Sequence, residues 1–557
     1  MVKYMITLLD KKKRKTAIQS LVDISESSST DRLDLQIVFR ESASIHSLYI
    51  DFYFENAISA WRTTSYNWSE YPQEELVSNY YTPKILKLSD GLFVVGRNTT
   101  GAWLYDPKYK KRLRWLFYHP DLTPTVFMDK NHIRKSHQFM KINKGEVIDC
   151  GLLSGRSSVD EFSRTPIGFV PVLCFTDHAD FDTPIALRIQ RKFFRELGIR
   201  VSKSFFLHDF DKGANFASFE KNKEEFKLWE KDGHELCYHA MSHTSMDDWP
   251  SKFKLLKSPE GINPVTCYID HATHPYNYTK APDPGAWCED IWSKGVNLIW
   301  NYIDGSDGNI FTLNQLNAKG FSARKIMESF RIMQKEGYRR SRKDNLRNLL
   351  LYFVDERLSS LSIKLKVYPK RLITERDFSY IPAIARVLFT VFFQYLLNPG
   401  FYFKFVRNYS KPFSHARFSP VIFKGINQSD SNVRVMQTVA VRDFDITFSD
   451  KAINMFIDEK GVCIAHTYFA TMRSYHIGRL FENSNYLFRK PAVDAFINIA
   501  ELIKAKKIWN PSISELSDYF THLENLKYKI DEKGNIVIDK AGNKNIVCRT
   551  LSLNLKK

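Results

Sequence analysis

From about residue 168 onward, short apolar runs of strand length alternate with amphipathic stretches of helical period, and this rhythm constrains the fold more than any other feature. The runs are PVLCFT at 171–176, SFFL at 204–207, the stretch ending at Tyr238, VTCYI at 265–269 and VNLIW at 296–300. Between the first two, Thr183 is a helix cap and Pro184 suits a first turn. Ile185, Ile189, Phe193 and Leu197 recur every four residues, and Gly198 closes the helix. Residues 218–231 predict a second, charged amphipathic helix before Asp232 and Gly233. Repeated units of this kind predict a parallel sheet or barrel.

Chemistry-bearing residues collect where these strands end. The first run stops at Asp177, His178, Asp180 and Asp182, and the segment GHELCYHAMSH at 233–243 sets His239 and His243 four residues apart. Asp270 and His271 follow the 265–269 run, and a late run, GVCIAH at 461–466, ends at His466. In parallel α/β folds the strand C-termini are where sites are built. Two histidines plus one further nitrogen or oxygen ligand are a minimal catalytic site for Zn²⁺ or a similar ion. Asp180 and Asp182 are also candidates for capping the helix that opens at Thr183.

The chain has 557 residues and a net charge of +19, with 81 Lys+Arg against 62 Asp+Glu. Its length predicts about three domains. The excess charge suits an anionic partner, an acidic glycan or an anionic membrane surface, and without a basic or RNA-binding motif nucleic acid is not expected. Seven cysteines without a CxxC pair, several in apolar runs, fit a reducing compartment. The N-terminus reads as no signal peptide, so a cytoplasmic location is expected, with peripheral contact at the inner face of the membrane as an option. The run VLFTVFFQYLL at 387–397 is half the length of a span and ends at Asn398, Pro399 and Gly400. It reads first as a buried helix, and second as an interfacial helix on an anionic membrane, helped by Arg386, Lys404 and Arg407.

Five segments result: a β-rich N-terminal domain (1–165), the first part of the strand–helix domain (166–320), a basic, largely helical insertion (321–455), the second part of that domain (456–525) and a small C-terminal β meander (526–557).

The order of Asp177-His178, Gly-His-Glu leading into His239-x-x-x-His243, Pro275-Tyr276 and the late His466 resembles the polysaccharide deacetylases of the NodB-homology group, carbohydrate esterase family 4. The resemblance covers roughly 165–320 and 455–520. It implies an α/β fold with a (β/α) barrel-like catalytic domain. It further implies a divalent metal ion, zinc by preference, held by His239, His243 and either His178 or Asp180. Asp177 would be the general base and His466 the general acid. Asp270 and His271 stand near the third motif, and Pro275, Tyr276 and Trp300 would line the substrate groove. The expected reaction is removal of an N- or O-linked acetyl group from a glycan, acidic or lipid-linked, in surface polysaccharide synthesis. Two other readings compete: a glycoside hydrolase using paired carboxylates such as Asp177 with Asp180 or Asp270, and a non-catalytic glycan-binding protein.

Overall fold

The computed structural model describes residues 2–124, 126–128, 134–136, 140–209, 216–242, 253–254, 256–270, 277–281, 283–301, 304–337, 349, 356–425, 432–473, 476, 478–539 and 546–552. The expected positions His243, His271, Pro275 and Tyr276 lie outside these residues.

The N-terminal part folds as two antiparallel sheets, of six and seven strands. Alternating residues fill the layer between them, as in Arg32–Phe39, where Leu33, Leu35, Ile37 and Phe39 are buried. Trp61, Trp103 and Trp115 stack edge to face at its centre, with ring centroids 5.9 and 5.6 Å apart.

The strand–helix region forms a ten-stranded sheet. In spatial order its strands are Ser306–Asp307, Val439–Ala440, Val462–Thr467, Val172–Asp177, Ser202–Phe205, Glu235–His239, Cys267–Ile269, Leu298–Trp300, Arg434–Met436 and Ile422–Lys424. All neighbours are parallel except the last pair. Each strand has two buried faces. On one, Leu173, Phe175, Tyr238, Tyr268, Ile299 and Ala465 meet the helices Pro184–Leu197, Phe219–Lys231, Pro284–Trp292, Asp450–Asp458 and Lys490–Lys504. On the other, Val172, Cys174, Cys237, Ile269, Leu298 and Ile464 meet the helix Ile513–Glu524 and the outer face of the seven-stranded sheet, through Ile85, Phe93, Val95 and Leu153. Burial on both faces explains why these strands read as unbroken apolar runs.

This topology corrects the expected (β/α) barrel-like catalytic domain of NodB type. The sheet is a half-barrel whose path ends in two short edge strands, one of them antiparallel, and the other sheets among the described residues are built almost wholly of antiparallel pairs. The C-terminal strands take in a strand from upstream. Its hairpin, Tyr528–Ile530 and Ile536–Ile538, is completed by Ser158–Phe162, which also pairs with Cys548–Ser552. An isolated two-stranded hairpin is marginal in water, and the upstream strand supplies the third member.

The Gly-His-Glu segment serves this scaffold. The Glu235 carboxylate accepts from Ser202 Oγ at 2.5 Å, Ile513 N at 2.9 Å and Ser514 N at 3.2 Å, so it caps the helix Ile513–Glu524 from a neighbouring strand. His234 Nδ1 accepts from Val201 N at 3.2 Å, and burial pushes its pKa down to about 4. Replacing Glu235 by Ala is expected to lower unfolding free energy by about 2 kcal/mol in urea titrations, because the helix amides lose their acceptor. The His234 contribution is present above about pH 6.5 and is lost as pH falls toward about 4, since the neutral form is the folded one. His234→Asn keeps an acceptor and removes the titration, and its stability is expected to flatten over that window.

Candidate functional site

Strand parity decides which strand-end side chains share a space. His178 follows Cys174 and Thr176 on the face turned away from the helices. His239 follows Cys237, Trp300 follows Leu298, and His466 follows Ile464, all on that same face. The four rings therefore converge at the C-terminal ends of four parallel strands. His178 lies 4.2 Å from Trp300, 4.5 Å from His239 and 4.5 Å from His466, centroid to centroid. Tyr468, two residues past His466, stacks on His178 at 4.4 Å. Gly478 has φ +70°, and an added Cβ would collide with the Tyr468 backbone nitrogen, so only glycine lets that segment lie against the Tyr468 turn.

Asp180 completes a three-donor group. Its Oδ2 lies 3.4 Å from His178 Nδ1 and 3.2 Å from His239 Nε2, and those two nitrogens are themselves in short contact. The three ligand atoms all fall within 4.8 Å of one another. Two imidazoles and a carboxylate suit a divalent ion such as Zn²⁺. Burial, then the neighbouring His466 and His239, holds His178 well below its ordinary pKa, so it carries the neutral ring that ligation needs. Ala240, with φ +57°, turns the chain sharply after His239.

Beside this group stands the expected His466, held by two residues that no motif marks, Asp304 and Thr438. His466 Nδ1 is 2.8 Å from Asp304 Oδ1. Thr438 Oγ1 donates to the same oxygen at 2.6 Å and accepts from Trp300 Nε1 at 2.8 Å. The carboxylate thus places the His466 proton on Nδ1 and leaves Nε2 as the basic nitrogen. That Nε2 is buried and has no hydrogen-bond partner among the described residues. The only local sequence signal for Asp304 is an acid four residues past the aromatic strand end.

Asp177 stands apart from the cluster. It has the opposite parity, following Leu173 and Phe175 toward the helices. Its carboxylate is ion-paired with Lys203 Nζ and accepts from Phe469 N at 2.7 Å and Thr467 Oγ1 at 3.2 Å. Lys203 also reaches Asp182 Oδ2 at 2.5 Å, and burial pushes Asp182 up to about 7 despite that cation. The triad Asp177–Lys203–Asp182 is fully buried and holds helix to sheet. Asp270 is also engaged structurally: its oxygens accept from Tyr278 N at 2.9 Å and Thr279 N at 2.7 Å, pinning the turn Tyr278–Lys280. Lys203→Met strands two buried carboxylates, and is expected to cost about 3–5 kcal/mol in denaturant unfolding, a scaffold effect and not a loss of ligands.

No family model matches the chain, and no curated protein matches it. Similar solved structures include a Flavobacterium johnsoniae GH31 dextranase complexed with isomaltotriose, at 9% identity and a TM-score of 0.19, covering 50% of this chain and 39% of that one. A xylosidase from Aspergillus niger is 10% identical, with a TM-score of 0.19, covering 52% of this chain and 46% of that one. The chain thus spans less than half the length of these proteins, and a likeness at this level carries no argument about fold or activity.

Proposed function

We propose that the cluster at the strand ends is the active site of a metal-dependent glycan hydrolase that removes an acetyl group. The observation that carries this reading is the convergence of His178, Asp180 and His239 beside an oriented, unpartnered His466 nitrogen. A divalent ion held by the three donors would supply Lewis acidity for the carbonyl and bring the pKa of water toward 7.

The chain's own residues supply the proton steps. His466 Nε2 takes the proton of the attacking water and returns it to the leaving amine or alkoxide. Asp304 holds the ring and stabilises its cationic form, as an orienting carboxylate does in a triad. His466 therefore does both the acid and the base work, and Asp177 keeps its structural bond to Lys203. Tyr468, part-exposed and stacked on His178, presents an aromatic surface next to the donors that suits a sugar, while the fully buried Trp300 backs the cluster.

A second reading, glycoside hydrolysis by two carboxylates, has one supporting observation: Asp180 and Asp304 each stand beside a histidine of the cluster. Metal analysis and product analysis separate the two. Purified protein is expected to hold one divalent ion, to lose it in His178→Ala and His239→Ala, and to release acetate from an acetylated oligosaccharide in a chelator-sensitive way. Full activity in chelator with new reducing ends would favour the second reading. His466→Ala is expected to keep the ion and lower kcat by about 10²–10⁴-fold.

A further inference from the structure

The insertion carries an arm whose surface is the reverse of a soluble one. Its helices are Glu356–Glu375, Tyr380–Val391 and Pro399–Asn408, with a single π turn, Phe392–Leu396, between the last two. Leu361, Val387 and Tyr395 form its small core, with Leu365, Tyr368, Val391 and Phe401 packed on it. The rest of the apolar run is exposed, which corrects the expectation of a buried helix at 387–397. Leu388, Phe392 and Leu396 make one lane at four-residue spacing, and Phe389, Phe393 and Leu397 make the adjacent lane, each residue about half exposed or more. Past the bend of 62°, Phe403 and Val406 are 73% and 72% exposed. Among the described residues no single helix is long and apolar enough to cross a membrane.

The charge pattern of the arm is one-sided. Between Phe378 and Lys411 the chain has no Asp or Glu, while Arg386, Lys404, Arg407 and Lys411 are all exposed. A continuous apolar stripe of this size is rare on a free soluble surface. An apolar stripe with flanking cations and no acids has the composition of a segment lying at an anionic lipid interface.

The arm stands on the side of the sheet that bears the site. At its C-terminal foot, Phe413 and Ala416 pack with Phe321, Ile326 and Val439, and the His415 ring is bonded through Nε2 to Gly305 O at 2.8 Å. Gly305 follows Asp304, and Ala440, after Val439, pairs with His466. The helix Glu356–Glu375 contacts the strand Arg134–Ser136, whose partner Val126–Met128 touches the turn Tyr278–Lys280 held by Asp270.

We propose that residues 378–411 dock the chain onto an anionic phospholipid bilayer, with the Leu388–Phe393–Phe403 surface in the acyl–headgroup boundary and the cations at the phosphates. This holds whatever reaction the site performs. The test uses the full chain with vesicles of phosphatidylcholine alone or mixed with phosphatidylglycerol. Co-sedimentation is expected with the mixed vesicles and is expected to weaken with salt. Phe389→Glu with Phe393→Glu should reduce it at least about tenfold, and Arg386→Glu about fivefold or more, on anionic vesicles only. In the otherwise natural chain, Phe403→Trp should be quenched by brominated lipid. Absence of binding to both vesicle types overturns the proposal. So does a concentration-dependent dimer, abolished by the Phe389 and Phe393 changes, in a protein that ignores vesicles.

Discussion

A side chain at the end of a parallel strand buried on both faces can turn only one of two ways, and that alternation governs the chemistry of this protein. Along Val172–Asp177 the odd positions face the helices and the even ones face the sandwich. His178 therefore joins His239, Trp300 and His466, while Asp177, one residue earlier, is sent to the opposite side. Moving the register by one residue would exchange them. The Asp177–Lys203–Asp182 triad makes such a slip costly, because it would bring buried charges to a face that has no partner for them. A structural ion triad on one face thus guards the geometry of the donors on the other.

The legibility of the sequence divides along the same line. His178, His239, Trp300 and His466 could be found because both residue type and strand-end position are local properties. The role of Asp177 could not be read that way, since the cation that neutralises it comes from the next strand and the hydrogen bonds from Thr467 and Phe469 come from a strand far along the chain. Asp304 and Thr438 were invisible for a similar reason. Thr438 sits in the two-residue break between Arg434–Met436 and Val439–Ala440, and its link to Trp300 and Asp304 exists only once those strands pair around them. Glu235 stands in the same segment as His239, yet its carboxylate is used at the amides of Ile513 and Ser514, far along the chain. Pairing of the longest range is the part of the fold that local patterns do not carry. Strand–helix alternation is a local rhythm, but it does not reveal how the sheet ends or that Ser158–Phe162 is recruited by the C-terminal tail.

Hydropathy has a matching blind spot at 387–397. An apolar helix in a protein core and one at a lipid boundary have the same composition, and only the neighbours distinguish them. Val387 and Tyr395 have such neighbours in the arm's core, whereas the residues of the two lanes beside them are about half exposed or more. The absence of acids from 378 to 411 was the available clue, because solvated helices mix both signs of charge and this one does not.

Position then ties the arm to the cluster. The foot of the arm and the Asp304 carboxylate share one short stretch of chain, since His415 bonds to the carbonyl of Gly305 while Asp304 bonds to His466. An Nδ1–carboxylate contact of 2.8 Å tolerates little displacement before the hydrogen bond weakens and the ring loses its orientation. Asp304 therefore sits between the strand-end histidine that it orients and the short stretch of chain on which the root of the arm rests.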